Sequence, residues 1–428
     1  MSSTNEPVRP GMSHPPYPSY REASIDWLPR IPSHWTTERL KRLVDLRSGD
    51  AITADRIEDD GDYPVYGGNG RRGFTSSWTH DGDHVLIGRQ GALCGNINYA
   101  SGRFWASEHA IVATPRQPLE THWLGETLRA MNLNQYSLSA AQPGLSVEQV
   151  GRLRVPLPPE EERSAIAAFL DRETAKIDAL VAEQERLIDL LKEKRQAVIS
   201  HAVTNGIAPG VRMKDSGVPW LGWIPARWGT VQSRRLFSVR NERARASDQQ
   251  LTASQKYGMI LQSDFIEREG RRVVQIITGR DSLRHAEPND FIISLRSFEG
   301  GLERCTLAGS VTFHYVVLVP DERIYGPFFA YLFKSSGYIQ ALRATANLIR
   351  DGQDLRYSHF VQVDLPLVPM NEQKEIATFL EETTAEIDAL TQETHRSLDL
   401  LLERRAALIF AAVTGQIDVR GLAEAEVA

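Results

Sequence analysis

A glycine-rich loop in the first part of the chain carries side chains that suit contact with a nucleic acid. It reads "YGGNGRRGF" and offers Tyr66, Asn69, Arg71 and Arg72 among its glycines. An asparagine amide matches the edge of adenine, and the planar fork of arginine fits guanine or phosphate. Glycine lets the backbone approach a partner closely. The alternative interpretation is an ordinary glycine-rich hairpin with solvated arginines.

Further candidates occur at three other places in the chain. Arg89 and Gln90 follow a predicted strand in "GRQG", and both are side chains of base-reading types. The candidates in the second half are Arg296, Ser297 and Phe298 in "SLRSFEGG", and Arg350 and Arg356 in and near "LIRDGQDLRY". Ser297 and Phe298 fit a core or turn position equally well.

The motifs that would make the chain an enzyme are missing from its sequence. It has no G-x-x-x-x-G-K-[S/T] phosphate loop and no Asn- or Asp-Pro-Pro-Tyr/Phe motif for holding a flipped base. "PDER" lacks the acidic-x-lysine that would follow in a restriction nuclease, and the histidines show no zinc spacing. We therefore predict no catalytic residue, no metal ligand and no cofactor site in this chain.

Charge is distributed unevenly along the sequence. The formal net charge is −6, yet residues 206–369 carry 21 basic and 16 acidic residues, whereas residues 370–428 carry 5 and 12. The basic residues of the former stretch are nearly all arginine. The total charge thus does not exclude nucleic acid as a partner, although solvated faces and local ion pairs explain single arginines equally well.

These candidates lie in two regions that are separated by a long internal repeat. Residues 155–207 align without a gap with residues 365–417, so that "FLDRETAKIDAL" at 169–180 corresponds to "FLEETTAEIDAL" at 379–390. A shorter repeat at a different offset relates "WLPRIPSHW" at 27–35 to "WLGWIPARW" at 220–228. The chain therefore consists of module, shared segment, module, shared segment.

Each shared segment is predicted to be one long helix. The first has no proline or glycine from Glu160 to Asn205, begins with three glutamates, and ends at Gly206, as the second does at Gly415. Apolar residues at heptad spacing indicate a coiled-coil seam, and two such helices in one chain can pair antiparallel. The predicted pairing and docking residues are Ile166, Leu170, Ile177, Leu180, Leu187 and Leu191, then Ile376, Leu380, Ile387, Leu390 and Leu401.

The modules are predicted to be mixed α/β. Runs such as "HVLIGRQG" and "VTFHYVVLVP" are typical of strands, and "WLGETLRAM" of a helix. We predict an α/β (mixed α+β) fold with two modules, two long antiparallel coiled-coil helices and a pseudo-two-fold internal repeat. The expected division is a tail at 1–20, modules at 21–154 and 208–364, helices at 155–207 and 365–417, and a tail at 418–428.

The cysteine content and hydropathy favour a cytoplasmic protein. The chain has two cysteines, no apolar run of the length a membrane helix needs, and no signal-peptide pattern at its start. We therefore expect no membrane partner.

The chain resembles the specificity subunit of type I restriction-modification systems. The resemblance rests on "GLSVEQVGRLRVPLPPEEERSAIAAFLDRETAKIDAL", "AVTNGIAPGVRMKDSGVPWLGWIPARW", "SLRSFEGGLERCTLAG" and "AAVTGQIDV", in that order and with the duplication. It implies a non-catalytic subunit with two target-recognition domains, each reading one half of a split site in double-stranded DNA.

The same resemblance implies the partners. Two methyltransferase subunits would dock on the two helices, which set the gap between the half-sites, and restriction and translocase subunits would complete the assembly. S-adenosylmethionine, ATP and Mg are expected on those partners. The alternatives are a coiled-coil interaction scaffold whose modules bind another ligand, or the recognition subunit of a methylation-only system.

Overall fold

The structure is a computed structural model that describes residues 14–421 except for 92, 138–142, 271–281, 295–296, 346–354 and the side chain of Phe298. The chain forms two compact units. The first unit comprises residues 1–184 and 396–428, and the second comprises residues 185–395. Each long helix therefore contributes one part to each unit.

The first unit contains eleven of the strands described and most of the first four helices. Its strands are β1 Tyr20–Glu22, β2 Arg30–Pro32, β3 Thr36–Arg39, β4 Val44–Ser48, β5 Tyr63–Gly67, β6 Gly70–Thr75, β7 His84–Gly88, β8 Ile97–Ala100, β9 Trp105–Ala106, β10 Ala110–Pro115 and β11 Arg154–Leu157. Its helices are α1 Leu40–Leu43, α2 Thr121–Ala130, α3 Val147–Arg152 and the first part of α4 Glu160–Asn205.

The second unit continues from α4 with twelve further strands in the described ranges. These are β12 Met213–Asp215, β13 Trp223–Pro225, β14 Gly229–Gln232, β15 Phe237–Val239, β16 Leu251–Ser254, β17 Gly258–Leu261, β18 Arg284–Ala286, β19 Phe291–Ile293, β20 Glu303–Arg304, β21 Gly309–Val311, β22 Val316–Pro320 and β23 Asp364–Leu367. Its helices are α5 Gln262–Glu269, α6 Ser297–Gly300, α7 Gly326–Leu332, α8 Ser336–Ala344, α9 Tyr357–Phe360 and the first part of α10 Met370–Val413.

Each unit has its own central four-stranded antiparallel sheet, and the two sheets have the same topology although their sequences differ. The strand order is β4-β10-β7-β8 in the first unit and β15-β22-β19-β20 in the second. In both sheets the last strand in sequence lies between the first and the second. The predicted mixed α/β class, with its internal repeat and two long helices, is confirmed.

Helices α4 and α10 contain 46 and 44 residues. Gly206 and Gly415 follow them with φ angles of +75° and +71°, the left-handed conformation that favours glycine at a helix end. In the first unit the start of α4 shares a core with the end of α10, and in the second the end of α4 shares a core with the start of α10. The two helices therefore run antiparallel within each unit.

The buried face of the long helices follows one predicted heptad position and departs from the other. Ile166, Leu170, Ile177, Leu191, Ile376, Leu380 and Ile387 are buried, and Leu187 and Leu401 are half-buried. Leu180 and Leu390, however, are exposed by 51% and 46%. Thr174 and Thr384, which the predicted seam did not include, are buried and lie four residues after a seam leucine.

These threonines fit an apolar seam because their hydroxyls are satisfied within the helix. Thr174 Oγ1 donates to the carbonyl of Leu170 at 2.7 Å, and Thr384 Oγ1 donates to that of Leu380 at 2.6 Å. Each side chain thereby brings its methyl group to the interface without an unpaired polar atom. Heptad counting based on leucine missed them.

Two repeat-related ion pairs fix the antiparallel register. In the first unit, Arg405 Nε is 2.7 Å from Asp178 Oδ1. In the second, Arg195 Nε is 2.9 Å from Asp388 Oδ1. Both arginines also reach the second carboxylate oxygen, and this bidentate geometry is more selective for register than a single contact.

The short tryptophan repeat holds each module to both long helices. Trp35 Nε1 donates to Glu162 Oε1 at 2.9 Å, and Trp228 Nε1 donates to Glu372 Oε2 at 2.9 Å. Both glutamates lie in the first turn of a long helix, where the helix dipole favours negative charge. We call these two arrangements the tryptophan clasps.

Each clasp also contacts the end of the other long helix. A Cβ added to Gly415 would lie 3.0 Å from Cη2 of Trp35, and one added to Gly206 would lie 3.4 Å from Cζ2 of Trp228. Glycine therefore serves both the left-handed turn and the close approach of the indole. Trp27 and Trp220 reinforce the clasps by donating to backbone carbonyls of Arg154 and Asp364.

The two clasps differ in how their glutamates are satisfied. Glu162 is only 5% exposed and also accepts hydrogen bonds from Tyr17 and pairs with His34. Glu372 forms a bidentate pair with Arg227, whose hydrogen bonds lower the pKa of the Glu372 carboxyl. The clasp of the first unit is therefore the more buried one.

None of the helices in the described ranges combines the length and the apolar character that a membrane span requires.

Replacing Glu162 by alanine is expected to destabilise the first unit by about 2–6 kcal/mol, because buried donors of Tyr17 and Trp35 lose their acceptor at roughly 1–3 kcal/mol each. Urea unfolding followed by tryptophan fluorescence measures the change. The exposed neighbour Glu161→Ala is the matched control and should change the free energy of unfolding by less than about 0.5 kcal/mol. Equal effects of the two substitutions would show that the clasp contributes nothing.

Candidate nucleic-acid interface

The two glycine-rich stretches of the first unit lie against each other. The β5–β6 hairpin carries the first, and the second follows β7. A Cβ added to Gly88 would lie 2.4 Å from the carbonyl oxygen of Gly68, and one added to Gly68 would lie 3.1 Å from that of His109. These two glycines thus allow two backbone segments of the first unit to pack closely, rather than leaving room for an external partner. The result is one continuous surface built from both loops.

Arg71 and Arg72 project from β6 as exposed side chains. The guanidinium of Arg71 lies 5.1 Å from the centre of the Phe74 ring, a cation–π contact. The side chain of Arg72 passes over Gly67, where an added Cβ would lie 2.6 Å from its Cδ. Within the described residues neither arginine is close enough to a carboxylate to form an ion pair, so both charges are available to an anion.

Amide side chains occupy the same surface. Asn69 at the hairpin tip, Gln90 after β7 and Asn96 before β8 are all exposed. Asn96 Nδ2 donates to Asn69 Oδ1 at 2.8 Å. We define the hairpin surface as Asn69, Arg71, Arg72, Arg89, Gln90 and Asn96. It offers cationic and amide groups together, which suits contact with phosphates and base edges.

Tyr66 and Arg89 are less open than their neighbours. Tyr66 is half-buried, and its ring packs edge-on against Phe104 at 5.7 Å. Arg89 is half-buried as well, and its backbone bonds to those of His109 and Leu145. Tyr66 therefore supports the hairpin from beneath, whereas Arg89 lies at the edge of the hairpin surface.

Sequence inspection did not find Asn96 or the exposed Trp78. Asn96 lies in "GNIN", and it acquires its neighbour Asn69 only through the fold, 27 residues away. Trp78 is 43% exposed, and the guanidinium of Arg103 lies 5.0 Å from its ring. No spacing in the sequence marks either contact.

In the second unit the predicted contacts are described only in part. Arg296, the Phe298 side chain and Arg350 lie outside the described residues. Ser297 is fully buried, and its hydroxyl accepts a hydrogen bond from the backbone of Ser294 at 2.8 Å, so its side chain supports the start of α6. Arg356 is exposed at the start of α9.

Several arginines of the basic second half are neutralised by local carboxylates. Arg240 Nε lies 2.7 Å from Asp290 Oδ2, and the hydrogen bond to Asp290 raises the pKa of Arg240. Arg245 contacts both Glu242 and Glu287, at 2.8 and 2.9 Å. The surplus of arginine in this half is therefore used partly for internal ion pairs. Local ion pairs were the alternative interpretation of the charge pattern.

A buried histidine lies at the centre of this network. Nδ1 of His285 is 2.8 Å from Asp248 Oδ2, and its Nε2 is 2.8 Å from Glu287 Oε1. Burial opposes protonation, but the hydrogen bonds to Glu287 and Asp248 outweigh it and raise the pKa of His285. The imidazole therefore ties two loops together, which is a structural role.

The described residues offer little for covalent or metal chemistry. They include no group of three or more His, Cys, Asp or Glu side chains placed to hold a metal ion. Cys94 and Cys305 are buried free thiols, and burial raises the pKa of both, to about 12 for Cys305. Neither thiol is a ready nucleophile at neutral pH.

Comparison with known proteins gives consistent relatives. Residues 32–188 match the family described as Type I restriction modification DNA specificity domain. A stretch of 137 residues is 44% identical to the Escherichia coli type I restriction enzyme EcoprrI specificity subunit, covering 31% of this chain and 34% of that protein. The chain is also 22% identical over 382 residues to the Escherichia coli EcoBI specificity subunit, covering 81% of this chain and 76% of that one.

The fold itself has a solved counterpart. A chain from a structure concerned with complex assembly and conformational transition of the type I R-M system superposes with a TM-score of 0.63 and 16% identity, over 90% of this chain and 99% of that one. The 44% match spans only about a third of the relative's length. Residues 32–188 therefore contain a type I restriction modification DNA specificity domain, and the chain is similar in sequence to type I restriction enzyme specificity subunits.

Proposed function

We propose that this chain is the non-catalytic DNA sequence-recognition subunit of a type I restriction-modification complex and acts in the cytoplasm. Each unit carries one recognition module, which reads one half of a bipartite target in double-stranded DNA. The long helices set the gap between the half-sites. S-adenosylmethionine, ATP and Mg belong to partner subunits.

One observation carries this proposal: the two units repeat the same frame but differ at their surfaces. The clasps, the ion pairs between the helices and the central sheet order recur in both units. The hairpin surface of the first unit carries unpaired arginines among the described residues. The loops around Arg240 and Arg245 in the second unit instead carry arginines that are paired with carboxylates. A duplicated frame with unlike surfaces suits the reading of two different half-sites, whereas a homodimer would require inverted copies of one sequence.

The hairpin surface supports DNA as the ligand. Phosphate contacts supply much of the affinity in such complexes, and Arg71 and Arg72 are exposed with no ion-pair partner among the described residues. Amides beside them supply groups that distinguish bases. A scaffold that bound proteins through its modules would not need this combination.

The outer faces of the helices support two docked methyltransferase subunits. Leu180 and Leu400 are exposed in the first unit by 51% and 64%, and Leu190 and Leu390 in the second by 51% and 46%. These four leucines form two pairs related by the internal repeat. Exposed leucines at equivalent positions of the two units suit two copies of one partner. Restriction and translocase subunits would join the complex through those partners, and without them the chain would serve a methylation-only system.

Exchange of the first module tests the proposal. Residues 40–153 are replaced by those of another specificity subunit, since these bounds keep Trp35 and the β3–β11 pair in place. The chimera is expressed with its methyltransferase subunits, and the methylated motif is read by methylome sequencing. One half of the motif should change and the other half should stay. A motif altered in both halves, or no bipartite motif from the unaltered chain, contradicts the proposal.

Arg71→Ala should weaken DNA binding in one of two distinguishable ways. If the side chain reads a base, the loss is about 1–3 kcal/mol and confined to one position of the site. If it contacts phosphate, affinity falls for all sequences and the salt dependence becomes less steep. Binding measured at several salt concentrations distinguishes the two. Arg42→Ala, which removes an exposed arginine paired with Glu38, is the control and should leave binding unchanged.

Lengthening both helices should widen the gap in the target. Four residues are inserted between Arg186 and Leu187 in α4 and between Arg396 and Ser397 in α10, midway between the two ion pairs. Four residues turn a helix by about 400° and add about 6 Å. DNA rises roughly 3.4 Å per base pair, so the gap should grow by one or two base pairs while both half-sites keep their sequences.

A two-residue insertion at the same places is the matched control. It turns each helix by about 200° and should abolish methylation, because one module is then rotated by more than half a turn from its position in the unaltered chain. Methylome sequencing reads both variants. Full activity with an unchanged gap would show that the helices do not set the spacing.

A further inference from the structure

Asn69 and Asn96 form a hydrogen-bonded pair of amides on the hairpin surface. Asn96 Nδ2 lies 2.8 Å from Asn69 Oδ1, and both side chains are exposed. An exposed bond of this kind adds little to stability, since water competes for the same groups. Its consequence is orientational: while it is formed, it sets the plane of the Asn69 amide and leaves that amide accessible.

The pair leaves Asn69 with both kinds of hydrogen-bonding group. An amide has two N–H donors and an oxygen with two lone pairs. The bond from Asn96 uses one lone pair, so Asn69 keeps the other and both donors. Exchanging O and N in both amides would leave Asn69 with one donor and both lone pairs. A donor and an acceptor remain on Asn69 under either assignment.

Adenine is the base whose major-groove edge matches such a group. It presents the N7 acceptor beside the N6 donor, and an asparagine amide bonds to both at once. Guanine presents two acceptors, cytosine a donor, and thymine an acceptor with a methyl group. An amide held in a fixed plane therefore discriminates in favour of adenine.

The backbone beneath Asn69 is also fixed. The backbone of Gly68 packs closely against Gly88, where an added Cβ would lie 2.4 Å from the Gly68 carbonyl oxygen. Gly70 has a φ of +91°, and a Cβ added to it would lie 3.1 Å from Asn98 Oδ1. Asn69 is thus held from below by its glycine neighbours and at its amide by Asn96. A preorganised side chain loses less conformational freedom on binding than a mobile one.

We propose that Asn69 reads one adenine of the first half-site through the major groove and that Asn96 is the positioning residue for this contact. The proposal rests on the proposed function, since it assigns a base to the hairpin surface. Arg71 and Arg72, on the adjoining strand, provide positive charge beside that contact. Asn96 thereby determines specificity without touching the DNA itself.

Base analogues test the contact with the full chain in complex with its methyltransferase subunits. Each adenine of the first half-site is replaced in turn by 7-deazaadenine, which lacks the N7 acceptor. The unaltered complex should lose affinity roughly 2- to 13-fold at one adenine, because the analogue removes one of the two hydrogen bonds of the bidentate contact. Asn69→Ala should bind the natural and the substituted duplex equally at that position.

Variants of Asn96 distinguish positioning from a general structural role. Asn96→Ala should reduce the discrimination at the same adenine and at no other position. The double variant should be no worse there than Asn69→Ala alone, because Asn96 acts through Asn69. Asn371→Ala, which removes an exposed amide on α10, is the matched control and should retain full discrimination.

Three results would overturn the inference: sensitivity to 7-deazaadenine that survives in Asn69→Ala, full discrimination in Asn96→Ala, or a uniform loss of affinity for every sequence. A first half-site without adenine would overturn it as well. Failure of the proposed function looks different, because the unaltered complex would then show no bipartite motif at all. If the unaltered complex has a bipartite motif but substitution of Asn69 and Asn96 does not change discrimination at any adenine, only the role of these two asparagines is contradicted.

Discussion

The structure depends on a carboxylate in the first turn of each long helix that accepts the indole N–H of a tryptophan. Glu162 holds Trp35 and Glu372 holds Trp228, both at 2.9 Å. Each contact joins the start of a module, the start of one long helix and the glycine end of the other. Glu162 is buried and Glu372 is 12% exposed, so loss of either carboxylate would leave an indole N–H without its acceptor. The clasp therefore makes each module part of the helical frame.

The helical frame in turn explains how two surfaces can differ on one scaffold. The seam uses leucine, isoleucine and internally bonded threonine, and the pairs Asp178–Arg405 and Arg195–Asp388 fix its register. None of these residues lies on a candidate DNA-contacting loop. Substitutions in those loops are therefore expected to leave the contacts of the frame in place.

The loops of the two units are held in place by different interactions. In the first unit, glycines bring loops together and leave Arg71 and Arg72 exposed. In the second, carboxylates neutralise Arg240 and Arg245, and buried His285 connects one of those carboxylates, Glu287, to Asp248. Charge counted along the sequence thus overstates the positive surface of the second unit, because it does not show which arginines are paired.

The sequence by itself determined the duplicated architecture, the two long helices, the mixed α/β class and the loops of the first module. These features are local or repeated. The heptad spacing of apolar residues, the glycines at the helix ends and the duplicated segments indicate them directly. Counting leucines, however, placed Leu180 and Leu390 in the seam, although both are exposed, and left out Thr174 and Thr384, which are buried. A threonine enters an apolar seam only when its hydroxyl finds the carbonyl four residues earlier, and the heptad pattern carries no sign of that bond. Tertiary structure alone decided the partners of Glu162, the pairing of Asn69 with Asn96 and the burial of Ser297. Each depends on contacts that chain folding creates, in the first two cases between residues 27 or 127 positions apart, and no local spacing records such contacts.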